Sequence, residues 1–392
     1  MDCAAVPSLV SAFIDTFVDF SVSGGIILPP EPESIKNSSG PLRTVFPQPG
    51  RLVAVGDIHG DLPKAKSALR LAGLIGPGDR WSGGAATVVQ VGDIFDRGGD
   101  EIKLLYFFER LRREAAKAGG TVITMNGNHE IMNVDADFRF ATPQGVEEFE
   151  NWGFWQCIGN GMKKMCDGIG RDSLFRDLCD GVPNEIPGIP PEFLNGIRVR
   201  IAALRPKGLI SSRFLSKNQT VVVVGDSVFA HGGLLEKHVI YGLERLNEEV
   251  RDWIRGVREK VENRLVRRAD SIVWLRSFSR KLVKDDDCSI LEHVLETIPG
   301  ARRMIMGHTI QEDGISVACG GRAIRVDVGM SSLCGDHFPE VLEIDENSEL
   351  KVLTSNPSYM KRQYEASVQA NQKDGLGSFI PQQRSTQVEV NA

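Results

Sequence analysis

Apolar runs closed by a glycine and a polar residue set the rhythm of the first 130 residues. Leu52-Val53-Ala54-Val55 runs into Gly56-Asp57, Ala86 to Val91 into Gly92-Asp93, and Thr121 to Met125 into Asn126-Gly127-Asn128. Short apolar runs rich in β-branched residues, bounded by turn residues, predict buried strands. Between them, Pro63 to Leu74 and the strongly amphipathic Glu101 to Lys117 predict helices. The alternation β-α-β-α-β predicts a parallel sheet and an α/β (α+β) fold class. Ligands of open α/β sheets bind at the carboxyl ends of the strands. The polar clusters stand at those ends.

The rest of the chain is less regular. Thr220 to Val224, Val228 to His231, Met304 to Gly307, Ala323 to Val328 and Val341 to Ile344 read as strands of a β-rich second half. Tyr241 to Arg267 reads as one charged helix with Trp253 and Ile254 inward. Residues 131–220 carry Trp152, Trp155, three cysteines and the proline-rich Pro187 to Pro191, and read as an insertion covering the site. Ser8 to Val22, with Leu9, Phe13, Ile14, Phe17 and Phe20, suits a short helix packed on the body. Residues 23–50 are rich in Gly, Pro and Ser and read as a linker. The domain organisation expected is therefore 1–50 as helix and linker, 51–357 as the catalytic domain, and 358–392 as a disordered tail poor in large apolar residues.

The formal net charge of -6 argues against nucleic acid as a partner. No apolar run is long enough to cross a bilayer. The first basic residue is Lys36, so neither a secretory n-region nor an arginine-rich presequence is present, and a cytoplasmic address is expected. The seven cysteines are irregularly spaced without a CxxC pair and read as reduced thiols, not a zinc knuckle. Cys157, Cys166 and Cys179 are the one group expected to form a disulfide or respond to redox state.

Five clusters carry candidate chemistry: Gly56-Asp57-Ile58-His59-Gly60, Gly92-Asp93-Ile94-Phe95-Asp96-Arg97-Gly98, Gly127-Asn128-His129-Glu130, His231-Gly232-Gly233 and Gly307-His308-Thr309. Taken singly, each could be a loop or a satisfied buried histidine. Taken together, Asp57, His59, Asp93, Asn128, His231 and His308 offer two carboxylates, three imidazoles and an amide carbonyl. That is too many donors for one tetrahedral zinc, and enough for two metals if one carboxylate bridges. Mixed N and O donors suit Mn, Fe or Zn better than Ca or Mg, and manganese is the expected metal. Two such ions can clamp the attacking and leaving oxygens of an in-line displacement at phosphorus. Arg97 could fork onto two phosphate oxygens.

These clusters resemble the GDxHG, GDxxDRG, GNHE and HGG motifs of the PPP family of protein Ser/Thr phosphatases, over about Arg51 to Pro357. The resemblance implies a calcineurin-like metallophosphoesterase β-sandwich flanked by helices. It implies one metal on Asp57, His59 and Asp93, with Asp93 bridging to a second held by Asn128, His231 and His308. It implies that His129 is the acid, oriented by Asp96, and that a hydroxide shared by the metals attacks a phosphoprotein substrate. Phosphotyrosine is not excluded. Val273-Trp274-Leu275-Arg276 is similar to the segment carrying a second phosphate arginine in bacterial-type members, which points to Arg276 and leaves Arg280, Arg302 and Arg303 as surface residues.

Two departures narrow the resemblance. The late SAPNYC motif is replaced by Val326-Asp327-Val328-Gly329-Met330-Ser331, and the stretch from Glu130 to His231 is long. Both are similar to the Shewanella-like protein phosphatases, and the N-terminal Phe17-Val18-Asp19 run is most similar to their plant type-two members. That subgroup implies a cytosolic or a mitochondrial intermembrane-space address, with a redox or regulatory protein as candidate second partner. Loss of SAPNYC implies resistance to okadaic acid and microcystin; inhibition at the low concentrations that stop type-two enzymes would contradict it. A dinucleoside tetraphosphatase is the main rival, against which Glu130 and the complete Asp96-Arg97-Gly98 speak. A phosphoprotein-binding scaffold without activity would need a broken ligand set.

Overall fold

A computed structural model describes residues 6–29, 40–166 and 178–357. The tail expected to be disordered lies outside the described residues. Eleven strands are described: β1 Val45–Phe46, β2 Arg51–Val55, β3 Thr87–Gln90, β4 Thr121–Thr124, β5 Val221–Val224, β6 Ser227–Ala230, β7 Arg303–Met306, β8 Ser316–Ala318, β9 Ala323–Arg325, β10 Glu340–Asp345 and β11 Leu350–Thr354. They form a six-stranded sheet in the order β1-β5-β6-β7-β9-β8 and a five-stranded sheet in the order β11-β10-β2-β3-β4. The predicted β-α-β-α-β unit is the parallel β2-β3-β4 core of the second sheet, to which β10 and β11 add antiparallel.

Every residue of β3, β5, β6 and β7 is buried, as near-continuous Val, Ile and Met runs require. The connecting helices Leu62–Leu71 and Glu101–Lys117 lie within three residues of their predicted bounds. Asp61 caps the first by accepting from the Lys64 amide at 3.0 Å. No helix among the described residues is long and apolar enough to cross a membrane.

Several expectations need correction. Tyr241 to Arg267 is not one helix: it divides into Glu236–Tyr241, Leu243–Ile254 and Asn263–Val266. The breaks fall at Gly242 (φ 100°) and Gly256 (φ 68°), where only glycine enters the left-handed region without strain. The segment read as a linker is partly built into the body, since Ile26 and Leu28 are buried and β1 pairs parallel with β5.

The N-terminal helix Val6–Val22 packs on the body as expected, but of the apolar set expected to face it Ile14 alone is buried. Ile14, Val18 and Val22 are buried, whereas Leu9 is 66% and Phe13 68% exposed. The helix is apolar on two sides, so periodicity alone did not choose between them. Arg213 settles the choice by pairing with Asp19 at 2.7 Å. Arg303 is buried rather than superficial, held by Asp226 at 3.1 Å.

The reduced-thiol expectation also fails, because Cys288 and Cys319 form a disulfide. It ties the helix Asp285–Glu296 to the turn between β8 and β9. The partners are 31 residues apart in sequence and meet only through packing, so their spacing carried no signal. Of the group expected to pair, the Cys166 side chain lies outside the described residues.

Candidate metal centre and phosphate cleft

Six strands from the two sheets deliver one polar residue each to a common point. Asp57 follows β2, Asp93 follows β3, and Asn128 follows β4. From the other sheet come His231 after β6, His308 after β7 and Asp327 after β9. All six are buried. Such convergence demands sharp turns. His59, Asp93, Asp96, Arg97 and His308 all adopt left-handed φ values between 48° and 68°. Each costs about 1–3 kcal/mol for a residue other than glycine and persists only where the surroundings over-determine it.

Glu130 is the main over-determining group beneath the Asp93 turn. Its carboxylate accepts from the amides of Asp93 (2.9 Å), Ile94 (2.8 Å), Phe95 (3.3 Å) and Gly127 (2.6 Å). One buried side chain thus fixes the Asp93 turn to the start of the helix Asn128–Val134, which carries Asn128 and His129.

Glycines let the carboxylates lie against backbone. A Cβ on Gly127 would sit 2.2 Å from Asp93 Oδ1, and one on Gly307 2.2 Å from Asp57 Oδ1. We therefore expect Gly307→Ala to displace Asp57 and lower kcat by on the order of 10²-fold, the usual effect of a misplacement near 1 Å. Metal analysis and turnover of the purified variant check this; wild-type values for both would show that Asp57 has slack.

The donor set has two overlapping groups. Ligand atoms of His59, Asp93 and His129 lie within 4.8 Å of one another, as do those of Asp93, His231 and His308, so Asp93 belongs to both. His59 Nδ1 donates to the Phe95 carbonyl at 3.0 Å and His231 Nδ1 to that of Val91 at 2.9 Å. Both bonds assign the proton to Nδ1 and turn the Nε2 lone pair inward, as metal-ligating histidines require.

The fit to cations can be judged from the atoms themselves. His231 Nε2 faces two further acceptors, Asn128 Oδ1 at 2.9 Å and Asp93 Oδ2 at 3.1 Å. Three acceptors converge only around a proton or a metal. Burial would lower the His231 pKa, but Asp93 outweighs it and the net shift is upward, a proton standing in for the cation. His308 Nε2 is buried with no hydrogen-bond partner among the described residues. Burial first, then His231 and Arg276, push the His308 imidazole far down, so it presents a neutral donor. Burial likewise lowers His59 to about 4. Burial, Asp327 and Asp93 together raise Asp57 well above the carboxylate range. Crowded buried carboxylates and an orphaned imidazole fit divalent metal ions, which relieve both.

Asp327 escaped the sequence reading. It is buried beside Asp57, accepts from the Gly329 amide at 2.9 Å, and lines the same cleft. It closes an apolar run as the others do, but with Val326 rather than a glycine before it, as Ala230 stands before His231.

The remaining candidates surround a cleft of about 370 Å³. His129 Nδ1 and Asp96 Oδ2 are 2.6 Å apart, both buried, and His129 Nε2 lies 3.9 Å from Asp93 Oδ2. Burial opposes protonation of His129, yet Asp93 and Asp96 raise its pKa on balance. Arg97 and Arg276 both line the cleft. Arg276 Nη1 is anchored on the His308 carbonyl and Thr309 Oγ1, each at 2.9 Å. The Phe140 ring lies 5.2 Å from His129 and 5.1 Å from the Arg97 guanidinium.

The two sheets, the six-strand convergence and the donor set define a metallophosphoesterase. Residues 50–312 match the family described as calcineurin-like phosphoesterase. The chain is 53% identical over 391 residues to Shewanella-like protein phosphatase 2 of Arabidopsis thaliana, covering 100% of this chain and 97% of that protein. It is 28% identical over 308 residues to Shewanella-like protein phosphatase 1 of Plasmodium berghei, covering 76% and 72%. The chain therefore belongs to the calcineurin-like phosphoesterases and, among them, to the Shewanella-like protein phosphatases. Among solved structures, a cold-active protein-tyrosine phosphatase of a psychrophilic Shewanella superposes with a TM-score of 0.54 at 18% identity, covering 80% of this chain and 82% of that one. That likeness concerns the fold alone. The chain is a metal-dependent phosphatase.

Proposed function

We propose that the chain removes phosphate from phosphoserine and phosphothreonine in proteins, using two divalent cations, manganese first among the candidates. Asp57, His59 and Asp93 would hold one, and Asn128, His231 and His308 the other, with Asp93 shared. When bound, the cations supply an activated water and neutralise charge developing on the phosphoryl group. Arg97 and Arg276 bind the non-bridging phosphate oxygens from two sides of the cleft, Arg276 held at its angle by His308 and Thr309. Asn128 Oδ1 and His231 Nε2 lie 2.9 Å apart, two donors that would both serve the second cation.

The observation that carries the Ser/Thr reading is the buried His129–Asp96 pair at 2.6 Å. Asp96 fixes the Nδ1 proton and stabilises the charged ring, which leaves Nε2 to hand a proton to the leaving oxygen. A serine alkoxide needs that proton; an aryl oxide scarcely does. A poised acid is therefore the mark of an alkyl phosphate substrate.

A phosphotyrosine reading draws on a different observation, the apolar rim of Phe140, Trp274 and Ile310 around the cleft, which could receive an aromatic ring. Matched peptides carrying phosphoserine, phosphothreonine or phosphotyrosine, assayed with wild type and Phe140→Ala, decide between them. The Ser/Thr reading expects higher kcat/KM on phosphoserine and phosphothreonine, with little change in Phe140→Ala. Preference for phosphotyrosine, lost in Phe140→Ala, would replace it.

A further inference from the structure

A fully buried arginine is costly unless its N–H groups find acceptors. Arg200 has zero exposure and sits on the helix Pro191–Leu204, inside the insertion. Its Nη2 lies 2.9 Å from Asp96 Oδ1 and 2.8 Å from Glu101 Oε2, and its Nε donates to Asn133 Oδ1 at 2.9 Å. Asn133 Nδ2 in turn donates at 3.0 Å to Asp96 Oδ2, the oxygen that meets His129 Nδ1. Both carboxylate oxygens of Asp96 are thus fixed. The backbone does not do this unaided, because Asp96 stands in a left-handed turn (φ 67°).

We propose that Arg200 is a positioning residue for phosphoryl transfer: it locks the Asp96 carboxylate, and through it the His129 ring, in the orientation that delivers a proton to the leaving oxygen. This rests on the proposed acid role of His129. A purely structural arginine would be satisfied by Glu101. Arg200 instead also spreads its fork onto Asp96 and Asn133, two of the side chains that hydrogen-bond to His129. It also keeps Nη1 without a hydrogen-bond partner among the described residues, a compromise that stability alone does not favour. Without Arg200, Asp96 and Glu101 would face each other with no cation between them. Burial already raises Glu101 to about 7 with Arg200 present. Asp96 would lose the group that holds its Oδ1 among the described residues and could turn from His129. The insertion, expected only to cover the site, thereby supplies an arm to its acid.

Arg200→Met and Arg200→Lys, each alone and combined with His129→Asn, test this in the manganese-loaded full chain. The substrates are a phosphoserine peptide and p-nitrophenyl phosphate, with metal content and circular dichroism measured alongside. Arg200→Met should lower kcat on phosphoserine by about 10–100-fold, a share of the ~10²–10⁴-fold that an acid contributes. Turnover of p-nitrophenyl phosphate, KM and metal content should stay nearly unchanged. Lysine keeps the charge but not the fork and should restore part of the loss. In the His129→Asn background neither change should cost more. Equal loss on both substrates, or full additivity with His129→Asn, overturns the proposal. If Arg200→Met does not fold, Arg200→Lys is read alone: a phosphoserine-selective loss supports it, and a non-selective loss or wild-type behaviour overturns it. Selective loss in His129→Asn without any in the Arg200 variants fails Arg200 only. Non-selective loss in His129→Asn fails the acid reading first and Arg200 with it.

Discussion

Asp93→Asn is expected to remove metal and activity together, lowering turnover by about 10³-fold or more, since metal charge supplies several kcal/mol at the transition state. Asp93 is common to both donor groups, so its charge is used twice. Asparagine keeps the shape, and its carbonyl can still accept from the His129 amide as Asp93 Oδ1 does at 3.0 Å. Only the charge and one acceptor go. Burial opposes the Asp93 charge, but the imidazoles of His231, His129 and His59 outweigh it and hold the carboxyl well below the usual carboxylate range. Metal-free Asp93→Asn should therefore melt below metal-free wild type, while the rise in Tm that metal gives wild type should vanish. A variant that kept both ions and near-normal rates would show that Asp93 does not bridge.

The ends of the strands were legible because everything that marks them is local. An apolar run, a glycine and a residue able to bind metal stand within a few positions of each other at Gly56-Asp57, Gly92-Asp93 and Gly307-His308. Burial of β5 and of the apolar residues of β3, β6 and β7 follows from composition in the same way, whereas that of Arg303 at the start of β7 does not. What escaped depends on distant partners. Glu130 could be noted, but its grip on four amides across two turns appears only when β3 and β4 lie side by side. Arg200 is 104 residues from Asp96 and sits in a segment without clear periodicity. The Cys288–Cys319 bridge needs the packing of a helix on a hairpin. The Val6–Val22 helix marks an intermediate case, where the element was legible and its buried face was not.

His129→Asn is expected to damage phosphoserine hydrolysis far more than hydrolysis of p-nitrophenyl phosphate. The serine alkoxide is strongly basic and leaves poorly without a proton, whereas nitrophenolate is stabilised by its own ring. On the proposed roles, both substrates would draw equally on the metals, Arg97 and Arg276, so those contributions would cancel in the ratio. General acid catalysis contributes about 10²–10⁴-fold, and most of it should be lost on phosphoserine alone. Asp96→Asn should show the same pattern in weaker form, but it is the poorer probe. Asp96 also meets the fully buried Arg200 at 2.9 Å, and removing one partner of a buried pair costs about 3–5 kcal/mol of stability. His129 leaves no buried arginine unpaired: among the described residues its Nδ1 meets Asp96, and its backbone bonds survive the substitution. Kinetics on both substrates at matched metal content therefore isolate the proton. Equal losses on the two would mean that His129 supports the metals or positions the phosphate, and that the leaving oxygen takes its proton from elsewhere.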